Sequence, residues 1–465
     1  MKVVEKYDDL RNKHPEFVYN SFSYLVQPHA LELQFEFILK PGLYFRPVLT
    51  FHGWKGTVAY AKELEVYFFH IGLVEMLSYW KAACSPLITV NAGKLSDAQI
   101  EWWKDLILHG LGEFYYRNEI DCTASSLVTV RASENSPQFQ CDAACVSQGN
   151  LILVGGGKDS SLTVELLSEK GRANVFALNP TRASLQSAAL VGFKNPLVAN
   201  RVIDKKLLEL NKAGYLNGHT PFSAYLAFVG SLAGRIHGYS EIITSNERSA
   251  DEQNVVYKGV PINHQYSKSF RFENLFREYA KNFLSLGTHY WSFLRPLHDL
   301  QISALFALRS RQLPNFRSCN VNQRKDSWCG NCAKCAFVYL SLFPFVETEG
   351  LKVLFGADLF QNDAILEFVR ELVGLTSAKP FECVGSIKES QAALCLSYLK
   401  MVREGRTIPP KLTDLYKLLP ESSNKDWIRE LLSDWNSKHF LPPKECDVLQ
   451  ETLATLNFNL HSSCP

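Results

Sequence analysis

Apolar residues recur with two different spacings in the first third of the chain. Over residues 31–39 they occupy alternate positions, which is typical of a strand with one buried face. A Pro-Gly pair at 41–42 then predicts a turn, and residues 44–51 predict a second strand. Over residues 64–83 and 96–113 the spacing becomes helical. The chain therefore begins with a mixed α+β segment.

Strands and helices alternate in the middle of the chain. The apolar run 151–154 predicts a strand, which leads into a glycine turn and then into a helix that continues to Leu167. Residues 175–178 and 242–244 predict later strands. The uncharged run 221–234 predicts a buried helix, since it is shorter than the ~20 residues that span a membrane. Such alternation favours an α/β fold with a doubly wound parallel sheet, which binds ligands beyond the carboxyl ends of its strands.

These patterns divide the chain into three predicted domains. Residues 1–148 form a mixed α+β N-terminal domain, and residues 149–345 form the α/β domain. Residues 346–465 form a helical C-terminal region, with helices expected over 365–375 and 427–435. The length agrees with this division, because 465 residues at roughly 150 per domain give about three domains.

Composition and charge narrow the class of protein. Hydrophobic residues make up 46% and charged residues 21%, which excludes a disordered or fibrous chain. Lys and Arg number 49 against 47 for Asp and Glu, so the net charge of +2 gives no general attraction to nucleic acid or to an anionic membrane. The first residues are charged where a secretion signal needs an apolar core. We therefore expect a cytoplasmic protein that acts on a small molecule.

Three consecutive glycines, Gly155, Gly156 and Gly157, separate the predicted strand from the predicted helix. Such a turn lets backbone amides approach an anion, and the helix N-terminus adds its dipole. A Walker loop is excluded because it needs Ser or Thr where this chain has Asp159. The dinucleotide fingerprint is excluded because its third glycine would fall at Ser160. The turn therefore predicts a phosphate site of another kind.

The loop sequence Gly-Gly-Gly-Lys-Asp-Ser resembles the Ser-Gly-Gly-x-Asp-Ser loop of the PP-loop ATP pyrophosphatases, which cleave ATP to AMP and pyrophosphate. The resemblance implies that the amides of Gly156 and Gly157 bind the pyrophosphate. It also implies that Asp159 holds Mg²⁺ or orders the loop, that Ser160 donates to a phosphate, and that Lys158 adds a positive charge.

The loop departs from that pattern at its first position. Gly155 stands where the family usually has a serine, so the first hydroxyl contact is missing while the residue remains part of the predicted nucleotide-binding segment. The structural alternative is an ordinary tight turn. The strand before it and the helix after it favour the nucleotide site.

Four of the twelve cysteines are crowded together, with the spacing C-x9-C-x2-C-x2-C, at Cys319, Cys329, Cys332 and Cys335. Four thiolates suit tetrahedral Zn²⁺, but an iron–sulfur cluster accepts the same ligands, and some of these cysteines could simply belong to the core. A similar arrangement occurs in the PP-loop enzyme 7-cyano-7-deazaguanine synthase, where the metal is structural zinc. That resemblance favours zinc with a role in folding.

Further stretches narrow the family. Residues 218–223 read Gly-His-Thr-Pro-Phe-Ser, residues 245–254 read Ser-Asn-Glu-Arg-Ser-Ala-Asp-Glu-Gln-Asn, and residues 328–337 contain the last three cysteines of the cluster. Together with the glycine loop and residues 68–73, they resemble the UDP-N-acetyl-α-D-muramoyl-L-alanyl-L-glutamate epimerase family, MurL, over about residues 30–350.

That resemblance implies an activity. The family converts the terminal L-Glu of UDP-MurNAc-L-Ala-L-Glu to D-Glu in peptidoglycan precursor synthesis, consuming ATP to AMP and pyrophosphate. An α-proton beside an ionised carboxylate is very weakly acidic, and adenylation of that carboxylate removes the charge and makes the carbonyl an electron sink. A base can then take the proton and another group can return it to the opposite face.

Candidate catalytic groups follow predicted strands. Besides Asp159 they are His219, Glu247 and Asp251, the last two in a polar stretch that interrupts an apolar domain. For His219 a helix-start histidine bonded to backbone is an equal alternative, and the two carboxylates could instead bind Mg²⁺. Candidate cations for the anionic substrate are Arg182, Lys258, Lys268, Arg271 and Arg295, each of which could also be a solvated surface charge.

Two other hypotheses stay open at the level of sequence. One is another PP-loop enzyme that adenylates a nucleobase or tRNA, although the balanced charge disfavours a tRNA partner. The other is an inactive, zinc-stabilised nucleotide-binding module, which the intact Lys158-Asp159-Ser160 run disfavours.

Overall fold

A computed structural model describes residues 3–123, 127–142, 148–168, 171–309, 311–322, 325–420 and 426–463. The strands within these residues are β1 (Glu16–Gln27), β2 (His29–Leu39), β3 (Leu43–Phe45), β4 (Val48–Trp54), β5 (Leu87–Val90), β6 (Thr129–Ala132), β7 (Asn150–Leu153), β8 (Ala173–Leu178), β9 (Leu197–Val202), β10 (Glu241–Thr244), β11 (Val255–Tyr257), β12 (Val260–Ile262) and β13 (His289–Ser292).

The helices that precede the cysteine cluster are α1 (Val3–Lys13), α2 (Val58–Glu63), α3 (Glu65–Trp80), α4 (Asp97–Gly110), α5 (Gly112–Arg117), α6 (Lys158–Leu167), α7 (Arg182–Leu190), α8 (Lys205–Lys212), α9 (Phe222–His237), α10 (Phe270–Phe283) and α11 (Asp299–Arg309). Those that follow its first cysteine are α12 (Ala333–Leu342), α13 (Thr348–Phe355), α14 (Asp363–Leu372), α15 (Ile387–Arg403), α16 (Pro410–Lys417), α17 (Asp426–Ser433) and α18 (Pro443–Ser463). None of the described helices is long and apolar enough to cross a membrane.

A single sheet, in which most strand pairs are parallel, contains strands from both the predicted N-terminal domain and the predicted α/β domain. Its order is β13-β10-β7-β8-β9-β4-β2-β1-β5-β6, with β3 added beside β2. The five strands from β13 to β9 are parallel, β4, β2 and β1 form antiparallel pairs, and β5 and β6 are again parallel to β1. The carboxyl ends of the five parallel strands therefore meet at one edge, where the glycine loop lies.

Most predicted elements are confirmed, and two predicted boundaries are wrong. Residues 44–51 form parts of two strands, β3 and β4, rather than one, and Pro47 lies in the break because proline has no N–H for a strand ladder. Residues 96–113 form α4 and the start of α5, which are separated at Leu111. The helices predicted over 365–375 and 427–435 correspond to α14 and α17.

The C-terminal helices share an apolar core with the α/β part of the chain. Ile152 on β7 and Leu162 on α6 belong to the same buried cluster as Phe337, Leu366 and Leu394, all at most 1% exposed. Burial of each such side chain contributes about 1.5–3 kcal/mol to the free energy of unfolding. The loops that join these helices are consequently held against the carboxyl edge of the sheet.

Candidate active site

The glycine loop connects the carboxyl end of β7 to the first residue of α6. Gly157 is the N-cap of α6 and has no side chain to accept from the first amides of the helix. The Lys158 amide donates to the Ser318 hydroxyl, whereas the amides that follow it have no N-cap side chain as acceptor and can bind an anion. Gly156 has φ +83°, and a Cβ there would stand 2.5 Å from the backbone nitrogen of Ser184, so only glycine fits. A Cβ on Gly155 would meet nothing within 4 Å. The Ser160 hydroxyl donates to the Gly157 carbonyl at 3.2 Å.

Lys158 is directed into the protein and is 2% exposed. Its ammonium contacts the carboxylate of Asp159 and lies 2.9 Å from Oδ1 of Asp299. Burial alone would raise the pKa of Asp159, but Lys158, Lys334 and Lys268 together hold it below its usual value. The ammonium of Lys158, to which the sequence assigned a role in phosphate binding, is therefore shared between two carboxylates beside the loop.

Glu247 follows β10 and is 3% exposed. Its burial raises its pKa to about 7, with the ammonium of Lys268 opposing the shift and the carboxylates of Asp159 and Asp299 adding to it. The backbone carbonyl of Glu247 accepts a hydrogen bond of 2.7 Å from Nη1 of Arg295. Glu247 and Asp159 thus belong to one cluster of interacting charges, and Glu247 can carry a proton near neutral pH.

Asp251 has a different position from Glu247. Its Oδ1 accepts a 2.7 Å hydrogen bond from the backbone nitrogen of Phe270, the first residue of α10, and its side chain is 42% exposed. Burial raises the pKa of Asp251, and Arg295, whose Nη1 lies 3.9 Å away, opposes the shift. These contacts hold Asp251 at the start of α10.

His219 belongs to a second cluster, which sequence reasoning did not assemble. The rings of His219 and His264 are 4.4 Å apart, and Oε2 of Glu113 lies 2.5 Å from Nδ1 of His264 and 3.6 Å from Nδ1 of His219. Burial lowers the pKa of His219 to about 3, and the charge of His264 reinforces this shift. Burial would also lower the pKa of His264, but Cys383 and Glu113 raise it to about 9.

Ligand atoms of Glu113, His219 and His264 lie within 4.8 Å of one another, which raises the question of a metal ion. Two ligands of one zinc ion stand roughly 3 Å or more apart, since each lies about 2 Å from the metal at a tetrahedral angle. The 2.5 Å contact between Glu113 and His264 is shorter than this and is that of a directly hydrogen-bonded pair of charged groups. We therefore describe this cluster as hydrogen-bonded.

Cys383, from the predicted C-terminal region, completes the second cluster. Its Sγ lies 3.9 Å from Nε2 of His264, and its backbone carbonyl accepts a hydrogen bond from Nζ of Lys334. Burial would raise the pKa of this thiol, but Lys268, His264 and Lys334 lower it well below its usual value. Sequence reasoning missed Cys383 because a single cysteine without a spacing partner carries no signal.

Two of the five candidate cations, Lys268 and Arg295, contact residues of these clusters. Lys268 interacts with Cys383, Glu247 and Asp159, which raise its pKa against the effect of burial. Arg295 is 0% exposed and is bound internally, with Glu273 at 2.9 Å. The remaining three pair with acidic residues: Lys258 with Asp121, Arg271 with Asp105 and Arg182 with Asp326.

The four clustered cysteines converge in the structure. The Sγ atoms of Cys319, Cys329, Cys332 and Cys335 all lie within 4.8 Å of one another, and those of Cys329 and Cys335 are 3.7 Å apart. Thiolates about 2.3 Å from a tetrahedral zinc ion stand roughly 3.8 Å apart. In a [4Fe–4S] cluster each thiolate binds a different iron, and in a [2Fe–2S] cluster the four thiolates are divided between two irons, so either cluster requires some sulfur atoms to stand farther apart. The donor set and its spacing therefore fit one zinc ion.

The cysteine cluster is joined directly to the glycine loop. The backbone nitrogen of Arg317 donates to the Gly156 carbonyl at 2.9 Å, and the Ser318 hydroxyl accepts from the Lys158 amide at 3.4 Å. Within the cluster, Lys334 lies between Cys332 and Cys335 along the chain, and its ammonium donates to the Cys383 carbonyl. A structural ion at the cysteines would consequently fix residues on both sides of the candidate active site.

Two open cavities adjoin the segment that carries Cys383. One, of about 450 Å³, is lined by Arg117, Lys379 and Glu382 among others. The other, of about 520 Å³, is lined by residues that include Asp251 and Ser386. Each has the size of a small-molecule binding site.

The sequence matches known proteins along most of its length. Residues 9–293 match the MurL N-terminal domain and residues 315–426 match the MurL C-terminal domain, so the similarity extends further at both ends than the motifs indicated. No solved structure matches.

Three named relatives agree with these domain matches. Each is called UDP-N-acetyl-alpha-D-muramoyl-L-alanyl-L-glutamate epimerase. The protein of a Micromonospora species is 33% identical over 82% of this chain and 84% of its own length, and that of Salinispora tropica is 33% identical over 80% and 81%. The protein of Xanthomonas oryzae pv. oryzae is 31% identical over 80% and 82%. The chain therefore belongs to the MurL family of epimerases.

Proposed function

We propose that the protein epimerises the terminal L-Glu of UDP-MurNAc-L-Ala-L-Glu to D-Glu, with cleavage of ATP to AMP and pyrophosphate. The names of its relatives support the substrate and the epimerisation. The resemblance of the loop to PP-loop enzymes supports ATP as the second substrate.

One observation carries the nucleotide part of the proposal. An uncapped helix start in a glycine turn, at the carboxyl edge of a parallel sheet, lies beside the buried charge cluster of Lys158, Asp159 and Glu247. Backbone amides and a helix dipole bind phosphate without a dedicated side chain. Because Gly156 excludes any side chain, the loop keeps the backbone accessible to the phosphates.

Adenylation makes the epimerisation chemically feasible. A carboxylate oxygen of the glutamyl residue attacks the α-phosphorus of ATP, and pyrophosphate leaves with the bonding electrons. The acyl adenylate carries no carboxylate charge, so removal of the α-proton places the electron pair in the carbonyl as an enolate. Return of a proton to the opposite face inverts the centre, and water then releases AMP and the D-glutamyl carboxylate.

Several residues have roles in this scheme. Lys268 stabilises negative charge that develops between the loop and the second cluster, since it interacts with groups in both. Glu247, with a pKa of about 7, donates the returning proton. The side chain of Asp159 is 24% exposed at the loop, so its carboxylate could hold Mg²⁺. The ion would supply positive charge to the pyrophosphate.

The cysteine cluster is proposed to hold structural zinc through Cys319, Cys329, Cys332 and Cys335. Four thiolates fill a tetrahedral ion and leave no position for a substrate or a water molecule. The ion would hold the segments that contact Gly156 and Cys383. Its contribution would therefore be to folding and to the geometry of the active site.

The proposal is tested by incubating the protein with UDP-MurNAc-L-Ala-L-Glu, ATP and Mg²⁺ in D₂O. We expect D-Glu by chiral analysis, deuterium at its α-carbon and one AMP for each turnover. Asp159→Asn should lose AMP formation, whereas Asp414→Asn, at an exposed position on α16, should retain it. Epimerisation without ATP, or unchanged L-Glu with the wild-type protein, would contradict the proposal.

A further inference from the structure

The backbone near Cys383 is fixed by hydrogen bonds to residues that follow β10. The neighbouring Val384 carbonyl accepts from Nε2 of Gln265 at 3.1 Å, and the backbone nitrogen of Lys379 donates to the Asn254 carbonyl at 3.1 Å. Cys383 itself remains partly exposed. A thiol on a fixed backbone, in a residue that is not fully buried, is an arrangement that suits a reacting group.

The groups around Cys383 form a relay of hydrogen-bonding side chains. Nε2 of His264 lies 3.9 Å from the sulfur, and the opposite ring nitrogen, Nδ1, lies 2.5 Å from Oε2 of Glu113. A carboxylate that binds the far nitrogen of an imidazole fixes the ring and stabilises its protonated form. Glu113 and His264 are therefore positioning residues that favour the thiolate.

We propose that the thiolate of Cys383 is the base that removes the α-proton of the adenylated L-glutamyl residue. This assignment rests on the proposed function. The Cα–H bond breaks and its proton forms an S–H bond, while the electron pair moves into the activated carbonyl. Protonated Glu247 then gives its proton to the other face of Cα, which yields the D isomer.

The charges around Cys383 and Glu247 favour removal of the proton by Cys383 and return of a proton by Glu247. Lys268, His264 and Lys334 lower the pKa of Cys383 against the effect of burial, whereas burial raises the pKa of Glu247 to about 7. The resting protein thus has a deprotonated base and a partly protonated acid. Lys268 interacts with both groups, so its charge is placed where the enolate forms.

Neither histidine of the second cluster is an equal candidate for the base. His264 has a pKa of about 9 and is protonated at neutral pH. His219, with a pKa of about 3, is a very weak base. Of the two acidic groups in this cluster, Cys383 and Glu113, Cys383 is the more exposed.

The test separates adenylation from proton transfer. Substrate-dependent exchange of labelled pyrophosphate into ATP measures adenylation, and deuterium uptake with D-Glu formation measures proton transfer. In Cys383→Ala and Cys383→Ser, pyrophosphate exchange should stay within about threefold of wild type, while deuterium uptake and D-Glu should fall at least about 10²-fold. Cys446→Ala, at a partly exposed cysteine of α18, should behave as wild type in both assays.

A second measurement reports on the thiol without the reaction. At pH 6.5, iodoacetamide should alkylate Cys383 at least about tenfold faster than Cys446, and His264→Asn or Glu113→Gln should remove that difference. Epimerisation within threefold of wild type in both Cys383 variants would overturn the assignment, as would alkylation of Cys383 no faster than that of Cys446. Absence of AMP formation by the wild-type protein would instead contradict the proposed function.

Discussion

The ammonium of Lys158 lies 2.9 Å from the carboxylate of Asp299, and both side chains are 2% exposed. Lys158 is the first residue of α6 and Asp299 is the first residue of α11, so one buried ion pair joins the starts of two helices. The same ammonium contacts Asp159. The geometry of the helix start at the glycine loop consequently depends on a residue that sequence analysis did not single out.

Removal of Asp299 should therefore destabilise the protein. Asp299→Ala leaves Lys158 with one buried counter-charge, and loss of one partner of a buried pair costs about 3 kcal/mol. Guanidinium unfolding followed by fluorescence should give a lower midpoint for this variant. Glu101→Ala, which breaks the exposed pair with Lys104, should leave the midpoint unchanged. Equal midpoints for the two variants would mean that the buried pair does not stabilise the fold.

Substitutions at two adjacent glycines of the loop should differ in their effect on activity, because a side chain is excluded at Gly156 and fits at Gly155. Gly156→Ala forces a Cβ to 2.5 Å from the Ser184 nitrogen at φ +83°, so we expect ATP-dependent AMP formation to fall at least about tenfold. Gly155→Ser meets nothing within 4 Å at its Cβ and introduces the hydroxyl that PP-loop enzymes have there, so activity should stay within about threefold. Steady-state kinetics with varied ATP would distinguish them, and equal losses in both variants would contradict the loop geometry.

The parts of the site that could be predicted are those that are local in sequence. The glycine loop is a strand, a turn and a helix in immediate succession, and the cysteine cluster occupies residues 319–335. Their residue types and spacings predict a phosphate site and a metal site, whereas the choice of ATP and of zinc came from the resemblance to PP-loop enzymes. The strands and helices that were predicted, such as β2, β7 and α9, were found for the same reason, since periodic burial is visible within a few residues.

The second cluster could not be predicted because its contacts are distant in sequence. His264 is 151 residues from Glu113 and 119 residues from Cys383 along the chain. The fold brings them together by packing the segment before α15 on the residues after β10. The same packing brings Cys383, from the segment between α14 and α15, to the candidate active site, whereas the sequence of this region indicated only helices.

The buried carboxyl of Glu247 should make stability depend on pH. Burial raises its pKa from 4.5 to about 7, so its contribution to stability is full below about pH 4.5 and is lost as the pH rises through 7. Glu247→Gln has no proton to lose there. Its advantage in unfolding free energy over wild type should therefore be larger at pH 8 than at pH 5, by about 2 kcal/mol. Guanidinium unfolding at both pH values checks this, and a constant difference would contradict the raised pKa.

Metal analysis of the purified protein should find one zinc ion per chain. Cys332→Ser removes one of four thiolates, so we expect loss of zinc and a melting temperature lower by roughly 5 °C or more. Because Ser318 and Arg317 contact the glycine loop, the variant should also have a higher KM for ATP. Cys446→Ser, outside the cluster, should retain the metal and the KM. Iron with visible absorption, or a metal-free wild-type protein of equal melting temperature, would contradict a structural zinc site.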